Sequence, residues 1–321
     1  MSHYLTFTKE EGARPIAIVK HKKNEHHALN ERILYLVEHD SDSDSEEGEI
    51  VVDKSRLTID PKKPIDKTAT MAARVMKGAG AGGSVVGSGQ SIKKILESKG
   101  RSIEIPSQFV FELLPKFPSK SSNTRDTLFL SGASGCGKSY AMKQFAENYD
   151  IIHGGKNKIY LISMLDTDAT LDRADCVINR LNLQSLVDDP ININSGEIDN
   201  SLILFDDIDP LLDGSDKGMK EALLKLMNDI LTTGRHTNTS MMFASHAGAN
   251  GRNTKYVLAE SDYWILYPKG GTSPYNMEYL LKNKLGLSKS QIEEITRSGK
   301  TVALHKGIPM FLIGPNTVKL I

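Results

Sequence analysis

Cysteine and tryptophan are scarce here. The 321 residues hold two of the first, Cys136 and Cys176, and one of the second. Two cysteines make no disulfide framework and fit a reducing compartment. An excess of charge is missing too, because 40 Lys and Arg balance 40 Asp and Glu. That balance argues against a strongly basic nucleic-acid coat and leaves room for a local basic surface. No apolar run approaches the roughly 20 residues that a bilayer-spanning helix needs. The opening MSHYLTFTKEEG is polar from its start, which is not how a signal peptide begins. The expectation is a soluble intracellular chain that is not secreted and has no membrane span.

Composition divides the chain near residue 122. In residues 1–122, YLTFT and RPIAIV have the pattern of short strands, and SIKKILESKG that of a short helix. Residues 38–49 interleave acids with serines, and residues 78–89 are rich in glycine and serine; both read as solvated, disordered segments. HKKNEHH at 21–27 has no cysteine or carboxylate set following it at metal-ligand spacing.

From residue 123 to 321 short apolar strands alternate with amphipathic helices. The strands are TLFLS, KIYLIS, SLILFDD, SMMFAS and YWILYP, with TVALH and PMFLI as a closing pair. Helices are expected over 138–149, 171–181 and 218–231, in KYVLAES, and in the stretches beginning at Ser273 and Ser288. Alternation of this kind, with strands apolar on both faces, predicts an α/β fold with a mostly parallel sheet covered by helices on both sides.

One stretch carries chemistry by itself. GASGCGKS, residues 132–139, has the form G-x-x-x-x-G-K-[ST], with a strand before it and a helix after it. Glycines let successive backbone N–H groups turn inward around phosphate oxygens. The following helix adds the positive end of its dipole. The cradle comprises Gly132, Ala133, Ser134, Gly135, Cys136, Gly137, Lys138, Ser139 and Tyr140. Lys138 is placed to reach the outer phosphates and Ser139 to ligate Mg2+. Cys136 occupies a free position of the motif, as a small filler or a redox-sensitive thiol.

SLILFDDID supplies the second half of a site. Four apolar residues run into Asp206 and Asp207. Alternation along a strand prevents these neighbours from sharing one task. Asp206 is assigned to Mg2+, mainly through water, and Asp207 to orienting or deprotonating the attacking water. Asp209 reads as a loop or helix-cap residue. The absence of an N-K-x-D sequence after the glycine loop disfavours a guanine-nucleotide switch.

Together GASGCGKS, LILFDD, GRHTN, and MMFASH followed by SDYWILY resemble the poxvirus-type genome-packaging ATPases of large DNA viruses, within the FtsK/HerA class of P-loop motors. The resemblance covers about residues 123–268 and none of the first 120. It implies an additional-strand, RecA/FtsK-like sheet with a further strand between the loop strand and the acidic strand. It also implies an ATPase that moves double-stranded DNA, a homo-oligomeric ring, capsid or portal partners, and a place in the host cytoplasm, viral factory or virion. His246, ending the fourth strand, takes the sensor position where the family usually has glutamine. Asp207 stands where glutamate is more usual. Arg235, in a glycine-arginine-histidine turn, and Arg252 are both arginine-finger candidates acting across a subunit boundary. An ATP-gated AAA+-like scaffold stays open as an alternative. A small-molecule kinase stands behind it, because no arginine-rich lid is apparent.

Overall fold

A computed structural model describes residues 2–23, 25–39, 88–119, 124–246, 248 and 254–321. The acidic segment and the glycine-rich linker fall almost wholly outside these residues, and Arg252 falls outside them entirely.

The N-terminal residues build a five-stranded antiparallel sheet. Strands β1 (Ser2–Thr6), β2 (Ala13–His21) and β3 (Ile33–His39) come first in the chain. Helix α1 (Ser88–Leu96) follows, with β4 (Lys99–Gly100), β5 (Ser102–Glu104) and β6 (Phe109–Leu113) after it. The sheet order is β4-β1-β3-β2-β6. Its register slips between Pro15 and Ala17, where proline has no N–H to give the ladder.

Strand β5 joins the larger sheet instead, which continues with β7 (Thr127–Ser131), followed by helix α2 (Lys138–Ile152), β8 (Ile159–Ser163), β9 (Ile178–Arg180) and α3 (Leu183–Asp188). Strand β10 (Leu202–Asp206), α4 (Asp209–Asp213), α5 (Lys217–Thr237), β11 (Ser240–Ser245), α6 (Lys255–Glu260) and β12 (Tyr263–Leu266) complete its parallel part. Helix α7 (Pro274–Glu278) continues as a π-helical segment, Tyr279–Lys284, and α8 (Lys289–Arg297) leads into β13 (Val302–His305), β14 (Phe311–Ile313) and β15 (Thr317–Leu320). The ten strands lie in the order β5-β15-β14-β13-β12-β7-β11-β10-β8-β9. From β12 to β9 neighbours are parallel, and from β12 back to β5 they are antiparallel. Strand β11 separates β7 from β10, so the additional strand of the expected fold is present. It comes from later in the sequence, and β8 lies on the far side of β10.

Every residue of β7, β10, β11 and β12 is buried, as a sheet covered on both faces requires. Period-two alternation sorts their side chains. Leu128, Leu130, Leu202, Leu204 and Met242 pack with Met142, Phe145 and Tyr149 of α2. Phe129, Ile203, Phe205, Met241 and Phe243 pack with Leu223, Met227 and Ile230 of α5. One helix therefore closes each face of the loop strand.

Two expectations are corrected. The helix expected over 171–181 is a 3-10 turn, Leu171–Arg173, followed by the edge strand β9. The Asp168 carboxylate accepts the N–H groups of Thr170 and Leu171 at 2.7 Å and starts the single turn, which ends at Ala174 in extended backbone. The β-branched pair Val177-Ile178 then favours a strand beside β8. The expected glycine-arginine-histidine turn is helical: α5 runs through Gly234, Arg235 and His236 to Thr237. Asn238, left-handed at φ 53°, ends the helix instead. Gly234 is there for close packing, since a Cβ would lie 3.1 Å from the Thr239 oxygen and 3.2 Å from Arg125.

The two sheets meet around charged groups. Glu112 on β6 accepts from Gln144 of α2 at 2.6 Å. At the entry to β7, buried Asp126 accepts the Lys116 N–H at 2.8 Å through Oδ2, while its buried Oδ1 has no hydrogen-bond partner. Lys116 Nζ reaches Asp262 at 3.0 Å. Burial lifts the Asp126 carboxyl to about 6, against the pull of Lys116. The folded chain then holds this proton more tightly than the unfolded chain, so stability falls as pH rises from about 4 to about 6 and stays lower above that. Asp126→Asn should be more stable than the wild type at pH 7, by on the order of 2–3 kcal/mol. Thermal denaturation between pH 4 and 8 should show that gap closing toward pH 4.

Candidate active site

The glycine loop leaves β7 at the C-terminal edge of the parallel strands. Its first two residues are pinned by backbone: the Gly132 N–H donates to Ser245 O at 3.1 Å and the Ala133 N–H to Gly271 O at 2.6 Å. Gly137 closes the loop at φ 109°, a conformation side chains resist. It stands as the N-cap of α2 with no side-chain cap, so the first N–H groups of this 15-residue helix face the loop.

A second loop, 267–272, braces the first. Tyr267 OH donates to Gly137 O at 3.2 Å, and Thr272 Oγ1 donates to Ser131 O at 2.6 Å. A Cβ on Gly271 would sit 2.4 Å from Tyr267 Cβ and 2.7 Å from Cys136 Cβ. Cys136 is wedged in this contact, and burial raises its thiol above the usual value. That supports the filler reading over a reactive thiolate.

Lys138 is buried. Its ammonium donates to Gly132 O at 2.8 Å and Ala133 O at 3.2 Å, and lies 3.3 Å from His246 Nδ1. Ser139 Oγ donates to Asp206 Oδ2 at 2.8 Å. Asp206 Oδ1 is buried beside this bond with no hydrogen-bond partner. Burial raises the Asp206 carboxyl; the Ser139 hydroxyl opposes this, while Asp207 and Asp168 add to it. A hydroxyl oxygen next to a desolvated carboxylate with an orphaned oxygen is a donor set suited to a hard divalent cation.

Asp207 leaves β10 in the left-handed region, φ 53°, uncommon for a residue with a side chain. Its Oδ1 is 2.7 Å from His246 Nε2. Asp209, at the start of α4, accepts from Ser245 Oγ at 3.2 Å and from the His246 N–H at 2.6 Å. It thus ties the end of β11 to the end of β10, a larger task than the loop or cap role its position suggested.

The structure therefore gathers Lys138, Ser139, Asp206, Asp207 and His246 around the loop of Gly132 to Gly137. Tyr140 follows on the first turn of α2, 57% exposed, with its hydroxyl taking a 3.3 Å contact from Gln144. Arg235 is not brought in. It is exposed in the last turn of α5, before β11 begins, whereas the site lies where β11 ends. At about 3.3 Å per strand residue that is roughly 15–20 Å away. Tyr267, Gly271, Thr272 and Asp209 were missed in the sequence. The glycine pair in YPKGGT, directly after a buried strand, was the signal available for three of them.

Strand order, phosphate-type loop and acidic strand end define a P-loop α/β protein of the additional-strand class. No family model matches the chain. It is 31% identical over 200 residues to uncharacterized protein V3 of Sputnik virophage, covering 61% of this chain and 77% of that one. The chain belongs to the same family as V3. Among solved structures it is similar to the genome packaging NTPase B204 of Sulfolobus turreted icosahedral virus 2 in complex with ATP-gammaS, 12% identical, covering 61% of this chain and 100% of that one at a TM-score of 0.40. It is also similar to the cytoplasmic domain of the type VII secretion ATPase EccC of Thermomonospora curvata, 13% identical, covering 67% of this chain and 28% of that one at a TM-score of 0.45. At these scores the fold assignment rests on this chain's own strand order and site.

Because Gly271 holds the loop from outside the motif, Gly271→Ala should weaken binding of a fluorescent ATP analogue at least tenfold while the chain stays folded by circular dichroism. Binding equal to wild type would remove the brace from the site.

Proposed function

We propose that this chain hydrolyses ATP with Mg2+ and uses the energy to move double-stranded DNA, packaging a viral genome of the poxvirus-type lineage into its capsid. The observation that carries the ATPase reading is the Ser139–Asp206 hydrogen bond, with the orphaned Asp206 oxygen, directly below the glycine loop. The motor reading is supported by the resemblance of the motif set and by kinship with a virophage protein.

The loop N–H groups and the open N-terminus of α2 bind the phosphates. Lys138 turns from the loop carbonyls to the outer phosphates. Ser139 and Asp206 would hold the magnesium, which supplies positive charge against the phosphate oxygens when bound. Asp207 and His246 stand together at the end of the site where the water is oriented. In a homo-oligomeric ring Arg235 would serve a neighbouring subunit's phosphates, since its own lie beyond reach. Portal or capsid components are the ring's proposed anchor, and the host cytoplasm or viral factory its place of work. Among the described residues no helix is long and apolar enough to cross a membrane.

Turnover of ATP by the purified chain, with and without double-stranded DNA, tests this reading. DNA should raise the rate, and Lys138→Ala and Asp207→Asn should each lower it by roughly 100-fold or more. A wild type that binds ATP yet turns over no faster than Asp207→Asn, with DNA or without it, would leave an ATP-gated scaffold.

A further inference from the structure

The contacts around His246 fix its tautomer. The Lys138 ammonium has three donors, and the structure gives it three partners: Gly132 O, Ala133 O and His246 Nδ1 at 3.3 Å. An ammonium cannot accept, so Nδ1 is the acceptor and carries no proton. The ring proton is then on Nε2, which donates to Asp207 Oδ1 at 2.7 Å. The backbone is held as well, by the Asp209 carboxylate on the His246 N–H at 2.6 Å. A carboxylate on one imidazole nitrogen and a bare lone pair on the other is the arrangement of an oriented base. That lone pair faces the Lys138 ammonium, the group assigned to the outer phosphates, across 3.3 Å at the mouth of the glycine loop.

Asp207 is less suited to that task. Its side chain is short, its backbone is held left-handed, and one carboxylate oxygen is committed to Nε2–H. The imidazole adds the reach that the aspartate lacks.

We propose that His246 is the general base of the ATPase, that Asp207 is its positioning residue, and that Lys138 covers the basic nitrogen until it turns to the phosphates. The inference rests on the ATPase reading. As the water oxygen bonds to the terminal phosphorus, its O–H bond breaks and the proton passes to Nδ1. The bridging P–O bond breaks, and its electron pair stays on the terminal β-phosphate oxygen of ADP. The imidazolium shares Nε2–H with Asp207, and the Nδ1 proton then passes to phosphate or bulk water. Among the described residues the charged groups facing the ring are Lys138 and Asp207 on its two nitrogens and Asp209 at its backbone.

Two measurements test this. The first is the set of imidazole ¹⁵N shifts of the chain at pH 7.5 without added nucleotide, with the His246 signal identified by its loss in His246→Gln. The expected result is protonated Nε2 and unprotonated Nδ1, with the tautomers mixing in Asp207→Ala. A protonated Nδ1 in the wild type overturns the proposal. The second is steady-state hydrolysis. His246→Gln keeps a hydrogen-bond donor but has no base, so kcat should fall by about 100-fold or more with little change in ATP affinity, and the acid-side fall of the wild-type pH–rate profile should vanish. A His246→Gln chain that hydrolyses like an active wild type overturns the base assignment alone. A wild type that hydrolyses no ATP overturns the ATPase reading and this inference with it.

Discussion

Three parallel strands, β7, β11 and β10, end at one level, and every group at the site hangs from that register. Ser131 lies opposite Ser245, and Phe243 opposite Phe205, so the glycine loop, His246 and the acidic pair all leave the sheet at the same edge. Side chains buried on both faces hold the strands in place. A slip of one residue in β11 would exchange its two apolar sets and draw His246 away from both Lys138 and Asp207. The site is precise because the core beneath it tolerates one register.

Placing β11 between the loop strand and the acidic strand has a chemical consequence. With β10 beside β7, Asp207 would have met the loop directly. With β11 between them, His246, the residue just after the inserted strand, stands in the gap and joins the lysine on one side to the aspartate on the other. The two positions that depart from the pattern of the resemblance, Asp207 and His246, are the two that touch.

Much of this was legible before any coordinates. The glycine loop announces itself because a strand–loop–helix with that spacing is built to cradle phosphate, and LILFDD because four apolar residues ending in acids make little sense in a surface turn. The elements that sequence misread share a cause. Residues 171–181 have helical spacing, but only one turn forms, and tertiary pairing with β8 settles the strand that follows. Gly234 looked like a turn residue, yet its lack of a side chain serves packing against Arg125. Strand order was hidden as well, since parallel neighbours are chosen by long-range packing. Tyr267, Thr272 and Asp209 are named by no part of the loop motif, and their contacts with the loop or the end of β11 appear only once β12, β7 and β11 are assembled.

The central claim is that Ser139 and Asp206 form, with the glycine loop, one site for a nucleoside triphosphate and a divalent cation. Calorimetric titration of ATPγS into the chain, with magnesium present and with it chelated, tests this most directly. The account predicts tight binding with magnesium, weaker binding without it, and a loss of that difference in Asp206→Asn with the magnesium-free affinity retained. An affinity that ignores magnesium in the wild type, or an Asp206→Asn chain that keeps the full magnesium effect, would contradict it.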